Sequence, residues 1–337
     1  MLRTFLLSLA MLFVVYILPF TKESNELTEV SVPFLPEFSI KELFNVENTP
    51  DISNDSFENI IVCIDGVNTT INIDEFLVGV VSAEMPASFE TEALKAQAVA
   101  GRTYIYYKQW LIDEGKSDNV HDGAVVCNDP AHCKAYIDIE TKNPWGDYYE
   151  LYKTKITQAV YDTSNEYIIY NNEPIAAVFH AASSGITEKA EDVWGTDIPY
   201  LQAVESEGSK VSPNYSNSIS VSLDDFKTIF LNSYPTADFS VEKELWFRAS
   251  TRSESGGIIS VYVGGVLIDG ADIRTLFKLN STNFTIEYTD DYIIFHTLGY
   301  GHGVGLSQYG ANALAKDGLT YNEILSWYYK DTQITKK

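Results

Sequence analysis

Positive charge is scarce in this chain. Lysine and arginine together number 23 against 47 aspartates and glutamates, a formal balance of −24. Nucleic-acid binding relies on clustered cations, so that balance argues against a nucleic-acid partner. Adsorption to anionic lipid headgroups is disfavoured for the same reason. No internal repeat is present, and strand-like and helix-like stretches do not alternate regularly, so a βαβ array is not expected. Tyrosine, in contrast, is abundant at 22 residues. Its rings suit stacking on sugar faces and serve ordinary packing equally well.

Charge is absent altogether from Thr4 to Thr21, and Phe5 to Phe20 is almost wholly apolar. A run of about twenty such residues is long enough to span a bilayer. Arg3 precedes it, while Lys22, Glu23, Glu26 and Glu29 follow, a bias that leaves the N-terminus in the cytoplasm and the remainder outside. No small-x-small site follows the run, so a retained anchor is favoured over a cleaved signal peptide. Residues 1–21 therefore read as a cytoplasmic tip and transmembrane anchor. Residues 22–56, with Pro33, Pro36 and Pro50 and no sustained periodicity, read as an extracytoplasmic linker. Residues 57–337 remain for a folded ectodomain, long enough for one large core or two modest ones.

Within that ectodomain, Asn59–Ile64 and residues 69–73 read as short strands about an Asp65-Gly66 turn, with Asp74 available to cap the next helix. Leu77, Val80 and Val81 lie at i, i+3 and i+4, one apolar face of that helix. A second helix is expected from about Thr91 to Lys108, with Ala93, Ala96, Ala100 and Tyr104 along a small-residue face. From Lys153 to Tyr170 polar and β-branched residues mix, and Ile175 to His180 reads as a strand. Residues 219–284 read mostly as strand, with a hairpin at Gly264-Gly265. Two helices close the chain, one from about Ser307 to Lys316 and one opened by the capping box Thr320-Tyr-Asn-Glu323. The expected fold class is α+β: mixed strands and helices around a substrate cleft, with one N-terminal transmembrane helix.

The helix face of Leu77, Val80 and Val81 continues at i+7 with Glu84, just before Met85-Pro86. A carboxyl on a buried face loses solvation, which raises its pKa and makes the protonated form available to a general acid. A frayed helix end pointing the same residue into water is the alternative. His121, Cys127, His132 and Cys133 fall within thirteen residues. They suit a tetrahedral, closed and therefore structural zinc site, and a Cys127–Cys133 disulfide suits them equally. Cys63 has no evident role. The run from Gly299 to Gly310 holds His302 among glycines that let backbone approach a ligand, yet it matches neither the dinucleotide fingerprint nor a phosphate loop. His180, Ser183 and Ser184 sit close together without the nucleophile-elbow pattern, so polar groups lining a cleft are favoured over a Ser–His nucleophile.

Three stretches together resemble the stage II sporulation protein D family of peptidoglycan lytic transglycosylases: VVSAEMPASFETEALKAQAVAGRTY, FHAASSGITEKAEDVWG with Pro199-Tyr-Leu201, and GHGVGLSQYGANALAKDGLTYNEILSWYY. The likeness runs from about Asn59 to the C-terminus. It implies an enzyme of sporulation engulfment that cleaves the MurNAc–GlcNAc bonds of peptide-stripped glycan strands to 1,6-anhydro-MurNAc ends. Glu84 is implied as the catalytic acid, and His121, Cys127, His132 and Cys133 as ligands of a Zn2+ ion. Lys95, Gln97, Arg102, His180, Ser183, Ser184, Trp194, His302 and Gln308 lie in matching motifs as substrate-binding candidates. An amidase and a polytopic membrane protein are the implied partners, and the space between mother-cell and forespore membranes the implied location. A non-catalytic peptidoglycan-binding scaffold that recruits or activates an amidase is the rival reading. An amidase with catalytic zinc fits worst, because a His2Cys2 set leaves no open metal position. Glycan strands carry lactyl carboxylates that a −24 protein repels. Lys95 and Arg102 are the expected source of a local positive patch.

Overall fold

The computed structural model describes residues 58–116, 121–130 and 132–337. The anchor and the linker expected over residues 1–56 lie outside them. Among the described residues, no helix is long and apolar enough to cross a membrane.

The chain opens with an antiparallel hairpin, β1 (Asn59–Ile64) and β2 (Val67–Asn72), turning at Asp65-Gly66 as expected. Both turn residues have positive φ, the backbone that an Asp-Gly pair tolerates. Helix α1 (Ile73–Glu84) follows directly. Its cap is Asn72, whose side chain accepts from the amides of Asp74 and Glu75. Asp74, expected as the cap, lies inside the first turn and is buried. Helix α2 (Thr91–Asp113) runs through the middle of the body, with Ala93, Ala96, Ala100 and Tyr104 all buried. Strand β3 (Val126–Cys127) then pairs in parallel with β1, placing Cys127 beside Cys63.

Helices α3 (Ile139–Lys142) and α4 (Tyr149–Asp162) lead to β4 (Glu166–Tyr170) and β5 (Glu173–Pro174). The strand expected over Ile175–His180 shrinks to β6 (Phe179–His180). Ile175, Ala177 and Val178 are buried, but the amides of Ala177 and Val178 bond locally to the carbonyls of Ile175 and Ala176, so an apolar run here does not mean a ladder. Short α5 (Ala190–Trp194) ends this stretch.

Residues 216–298 form a second lobe with its own core. Strand β7 (Ser216–Ser222) leads to α6 (Leu223–Ser233), then β8 (Phe247–Arg252), β9 (Ile258–Val263) and β10 (Val266–Asp269). Helix α7 (Gly270–Leu276), β11 (Phe284–Tyr288) and β12 (Tyr292–Leu298) complete it. Two three-stranded sheets, β10-β9-β8 and β11-β12-β7, enclose an aromatic core of Phe226, Phe230, Trp246, Phe277, Phe284 and Phe295. The hairpin at Gly264-Gly265 is as expected. Helices α6 and α7 interrupt a stretch that reads as strand, because packing against that aromatic core overrides weak local preference. The lobe leaves and rejoins the body at one point, where the Gly299 amide donates to the Tyr215 carbonyl at 2.7 Å.

After the lobe, β13 (Leu306–Ser307) pairs in parallel with β6, aligning Ser307 with His180. Helices α8 (Gln308–Lys316) and α9 (Tyr321–Tyr328) follow, the second opened by the expected Thr320–Glu323 capping box, and β14 (Gln333–Lys336) closes against β4.

Candidate functional site

The Leu77, Val80 and Val81 face of α1 is fully buried, and Glu84 is its last helical residue. The helix stops because Met85 turns extended before Pro86, its amide still bonded to the Val81 carbonyl at 3.0 Å. Glu84 is half-buried in the body rather than frayed into water. Burial raises its pKa, opposed by the nearby Lys134 charge and by hydrogen bonds from Ala135 and Gln308. The negative pole of a helix C-terminus disfavours an ionised carboxylate as well.

Two segments grip the carboxyl. The Ala135 amide donates to Oε1 at 3.0 Å, and Gln308 Nε2 reaches Oε2 at a long 3.5 Å. The loop bearing Ala135 lies close on α1 because Gly79 makes room. A Cβ there would stand 2.3 Å from the Tyr136 ring, which stacks on Phe76 at 5.1 Å. A mid-helix glycine costs about 1 kcal/mol relative to alanine. Here the close approach of that loop is what it permits. Gln308 begins α8 and also stands 3.4 Å from Oε1 of fully buried Gln97, so these two amides back the acid from behind.

Lys134 is a cation that sequence reasoning missed. It is buried between the rings of Phe179 (3.6 Å to the centroid) and Tyr104 (4.2 Å). Burial pulls its pKa down to about 8, while Glu84 and Cys133 pull it back up. Its sequence signal, a lysine directly after Cys133, was hidden inside the cysteine–histidine stretch.

Both motif histidines are internal and neutral. His180 is buried, which lowers its pKa to about 4, and its Nδ1 donates to the Val304 carbonyl at 3.1 Å. That leaves Nε2 as a buried acceptor with no hydrogen-bond partner among the described residues. His302 accepts from the Val304 amide at Nδ1 (3.1 Å) and donates from Nε2 to the Phe179 carbonyl (3.0 Å). Burial holds its pKa well below the ordinary histidine value. Trp194 lies tilted against it at 5.4 Å between ring centroids. The glycines around His302 admit the protein's own chain rather than a ligand: a Cβ on Gly301 would stand 2.7 Å from His180 Cβ.

Four expected contact residues are committed elsewhere. Arg102 is fully buried, with all of its donor groups engaged. Nε and Nη2 bind Asp74 at 3.2 and 2.7 Å, and the carbonyls of Thr163, Glu166 and Val160 take the rest. It clamps α1, α2, α4 and β4 together and offers nothing to a cleft. Lys95 pairs with Asp162 at 2.9 Å and Glu92 at 3.4 Å. Ser183 is buried against Ser209 at 3.0 Å, and Ser184 donates to the Ser255 carbonyl at 2.8 Å across to the second lobe. The positive patch expected from Lys95 and Arg102 is therefore not there, because each pairs with a carboxylate of its own.

His121, Cys127, His132 and Cys133 do converge, their ligand atoms within 4.8 Å of one another. Three sulfur–nitrogen separations are 3.5 Å, and His121 Nε2 lies 2.8 Å from His132 Nδ1. A tetrahedral zinc with ordinary bond lengths sets sulfur and nitrogen about 3.5 Å apart. The donor set thus fits such an ion, with the two imidazoles slightly closer than its ideal. The cysteines are free thiols, and a hydrogen bond from Cys127 draws Cys133 down to about 7. Cys63 is not in the cluster. Its strand carries it, since Val125 and Asn128 bond to the carbonyls of Ile61 and Cys63.

A family model described as Stage II sporulation protein matches residues 65–170. Over 276 residues the chain is 38% identical to Stage II sporulation protein D of Bacillus subtilis (strain 168), spanning 79% of this chain and 75% of that protein. The chain belongs to the stage II sporulation protein D family. A family relative from Bacillus amyloliquefaciens is 34% identical over 270 residues, 79% of this chain and 75% of its own. A Bacillus subtilis protein named Amidase enhancer is 27% identical over 307 residues, 77% of this chain and 40% of that one. The model's span holds Glu84, Lys134 and the cysteine–histidine cluster, whereas His180, His302 and Gln308 lie beyond it.

Proposed function

We propose that this protein is a peptidoglycan lytic transglycosylase, with Glu84 acting first as acid and then as base. The observation that carries the reading is what Glu84 touches among the described residues. Its hydrogen-bond partners are the Ala135 amide and Gln308, and the charge that bears on it is that of Lys134, with no carboxylate among these. Glycoside hydrolysis by the common routes needs two carboxylates. Internal attack by the sugar's own hydroxyl needs one.

Ala135 N–H holds Oε1 at 3.0 Å while Gln308 Nε2 reaches Oε2 only at 3.5 Å, so the less firmly held Oε2 is assigned the proton of the neutral acid. Glu84 gives that proton to the oxygen between MurNAc and GlcNAc as the bond breaks and positive character grows at the sugar carbon. The carboxylate then takes the proton of the C6 hydroxyl as that oxygen closes the 1,6-anhydro ring. No water is consumed. Lys134 lowers the cost of the ionised interval between the two transfers.

A Zn2+ held by His121, Cys127, His132 and Cys133 would be structural, since four protein ligands close its coordination. Its work would be to fix the loop that carries Lys134 and Ala135. The apolar run from Thr4 to Thr21 supports an N-terminal anchor, with the ectodomain acting between the two membranes during engulfment beside an amidase and a polytopic membrane protein. Similarity to the protein named Amidase enhancer favours one rival, a glycan-binding scaffold that activates an amidase without cutting.

Mass spectrometry of peptide-free glycan strands treated with wild type and Glu84→Gln separates these. Anhydro ends from wild type alone support the transglycosylase. Reducing ends indicate hydrolysis, and binding without cutting by either protein establishes the scaffold.

A further inference from the structure

Loss of Lys95 and Arg102 from the cleft reopens the question of how so acidic a protein holds an acidic strand. The second lobe supplies a cation. Arg274 stands on α7, whose neighbouring Ile273 is fully buried and fixes the helix to the lobe core. Arg274 Nε donates to the Asn280 carbonyl at 3.3 Å, and that same carbonyl accepts the Gly301 amide at 2.9 Å. One backbone oxygen therefore ties the arginine to the turn that carries His302.

The guanidinium is half-buried and desolvated, which lowers its pKa. Its charge is felt by His180, His302 and Tyr300, and it helps hold both histidines neutral. His302 packs on His180 at 5.6 Å between ring centroids and donates to the Phe179 carbonyl, and Lys134 lies 3.6 Å from the Phe179 ring, one residue before the Ala135 that holds Glu84. A line of packed groups thus runs from the acid to the lobe. Despite its desolvation, Arg274 has no carboxylate within ion-pairing distance among the described residues, and Nε makes its one side-chain hydrogen bond. This sets it apart from the other described arginines. Arg102 has spent all its donors, Arg252 gives both terminal nitrogens to the carbonyls of Gly256 and Phe284, and Arg248 is exposed to water. Beside it, Nε2 of 2%-exposed His180 is a second polar atom without a partner. A desolvated cation with two free forks is a poor structural element and a good receptor for a planar anion.

We propose that Arg274, presented by the second lobe across the His180–His302 turn, binds the lactyl carboxylate of a muramic acid residue and so selects acidic glycan over neutral chitin-like strands. This deepens the transglycosylase reading and rests on it. The remote cation compensates locally for a field that otherwise repels the strand, and over a Debye length of about 10 Å the rest of the −24 charge is largely screened. Arg274 is thereby a binding and positioning residue that never meets the transferred proton.

The test compares an acidic and a neutral ligand on the full-length protein carrying Glu84→Gln, so that nothing is turned over. One ligand is a peptide-free GlcNAc–MurNAc tetrasaccharide, the other the N-acetylglucosamine tetramer, which lacks carboxylates. The expected result is a preference for the acidic strand of about tenfold or more, erased by Arg274→Gln and partly kept by Arg274→Lys, with neutral-strand affinity unchanged. Raising salt should shrink the preference in the parent without any mutation. An unchanged preference in Arg274→Gln, or an equal loss for both ligands, overturns the assignment while leaving the transglycosylase standing. Salt independence of the preference overturns it even if Arg274→Gln fails to fold. A parent that binds neither strand defeats the glycan reading and this inference with it.

Discussion

The Ala135 amide donates to Glu84 Oε1 at 3.0 Å, two residues along the chain from Cys133. The candidate metal cluster and the candidate acid therefore share one short tether. Stripping any ion held by the cluster with a chelator, or Cys133→Ser, is expected to loosen that tether. Glycan cleavage should fall by about 10–100-fold, and the melting temperature should drop with it. Metal analysis of the purified protein alongside a melt checks this. A metal-free protein with full activity and an unchanged melt contradicts it.

Glu84→Gln is expected to lower cleavage by about 10²–10⁴-fold while the protein still binds strands. Stability supplies an independent check. The folded-state pKa of Glu84 is raised by burial, so the folded protein keeps this proton after the unfolded chain has lost it. The folded state then binds more protons, and stability falls as pH climbs from about 4.3, the ordinary glutamate value. Glu84→Gln removes this component. Melts from about pH 4 to about pH 8 should show the variant gaining on wild type as pH rises.

Lys134→Met keeps the bulk between Phe179 and Tyr104 and deletes the charge. Because Lys134 lowers the Glu84 pKa, its removal should raise it further. The alkaline limb of the cleavage profile is expected to move up by about one pH unit, with no loss in melting temperature. A limb that stays in place shows that Lys134 does not act on the acid.

Arg102→Ala leaves Asp74 as a buried, unpaired carboxylate and is expected to cost about 3–5 kcal/mol, measured by denaturant unfolding. Arg102→Lys should recover little, since a point charge cannot reproduce five forked hydrogen bonds. A substrate-contact role predicts the opposite pattern, with unchanged stability and weaker glycan binding.

Much of the framework was legible because its signals are local. The Leu77–Val80–Val81 face, the Asp65-Gly66 and Gly264-Gly265 turns and the Thr320–Glu323 box each fall within a few residues and formed as expected. His121, Cys127, His132 and Cys133 converge for the same reason, since thirteen residues of chain hold them near one another. Helices α6 and α7 were not legible, because the aromatic core that stabilises them is assembled from five separate elements and loops.

The chemistry of the site divides along the same line. Periodicity within one helix put Glu84 in line with a buried face but left a frayed end open, whereas short-range chain geometry was enough to gather the cysteines and histidines. Which cations are free was decided only in three dimensions. Arg102 meets Asp74 across 28 residues and Thr163 across 61, so its charge is consumed by partners no motif reveals. Arg274 reaches the His302 turn from another lobe, through one carbonyl of Asn280. Residue type and spacing report what a side chain can do. Burial and pairing decide what it is left free to do, and both arise from contacts between distant parts of the chain.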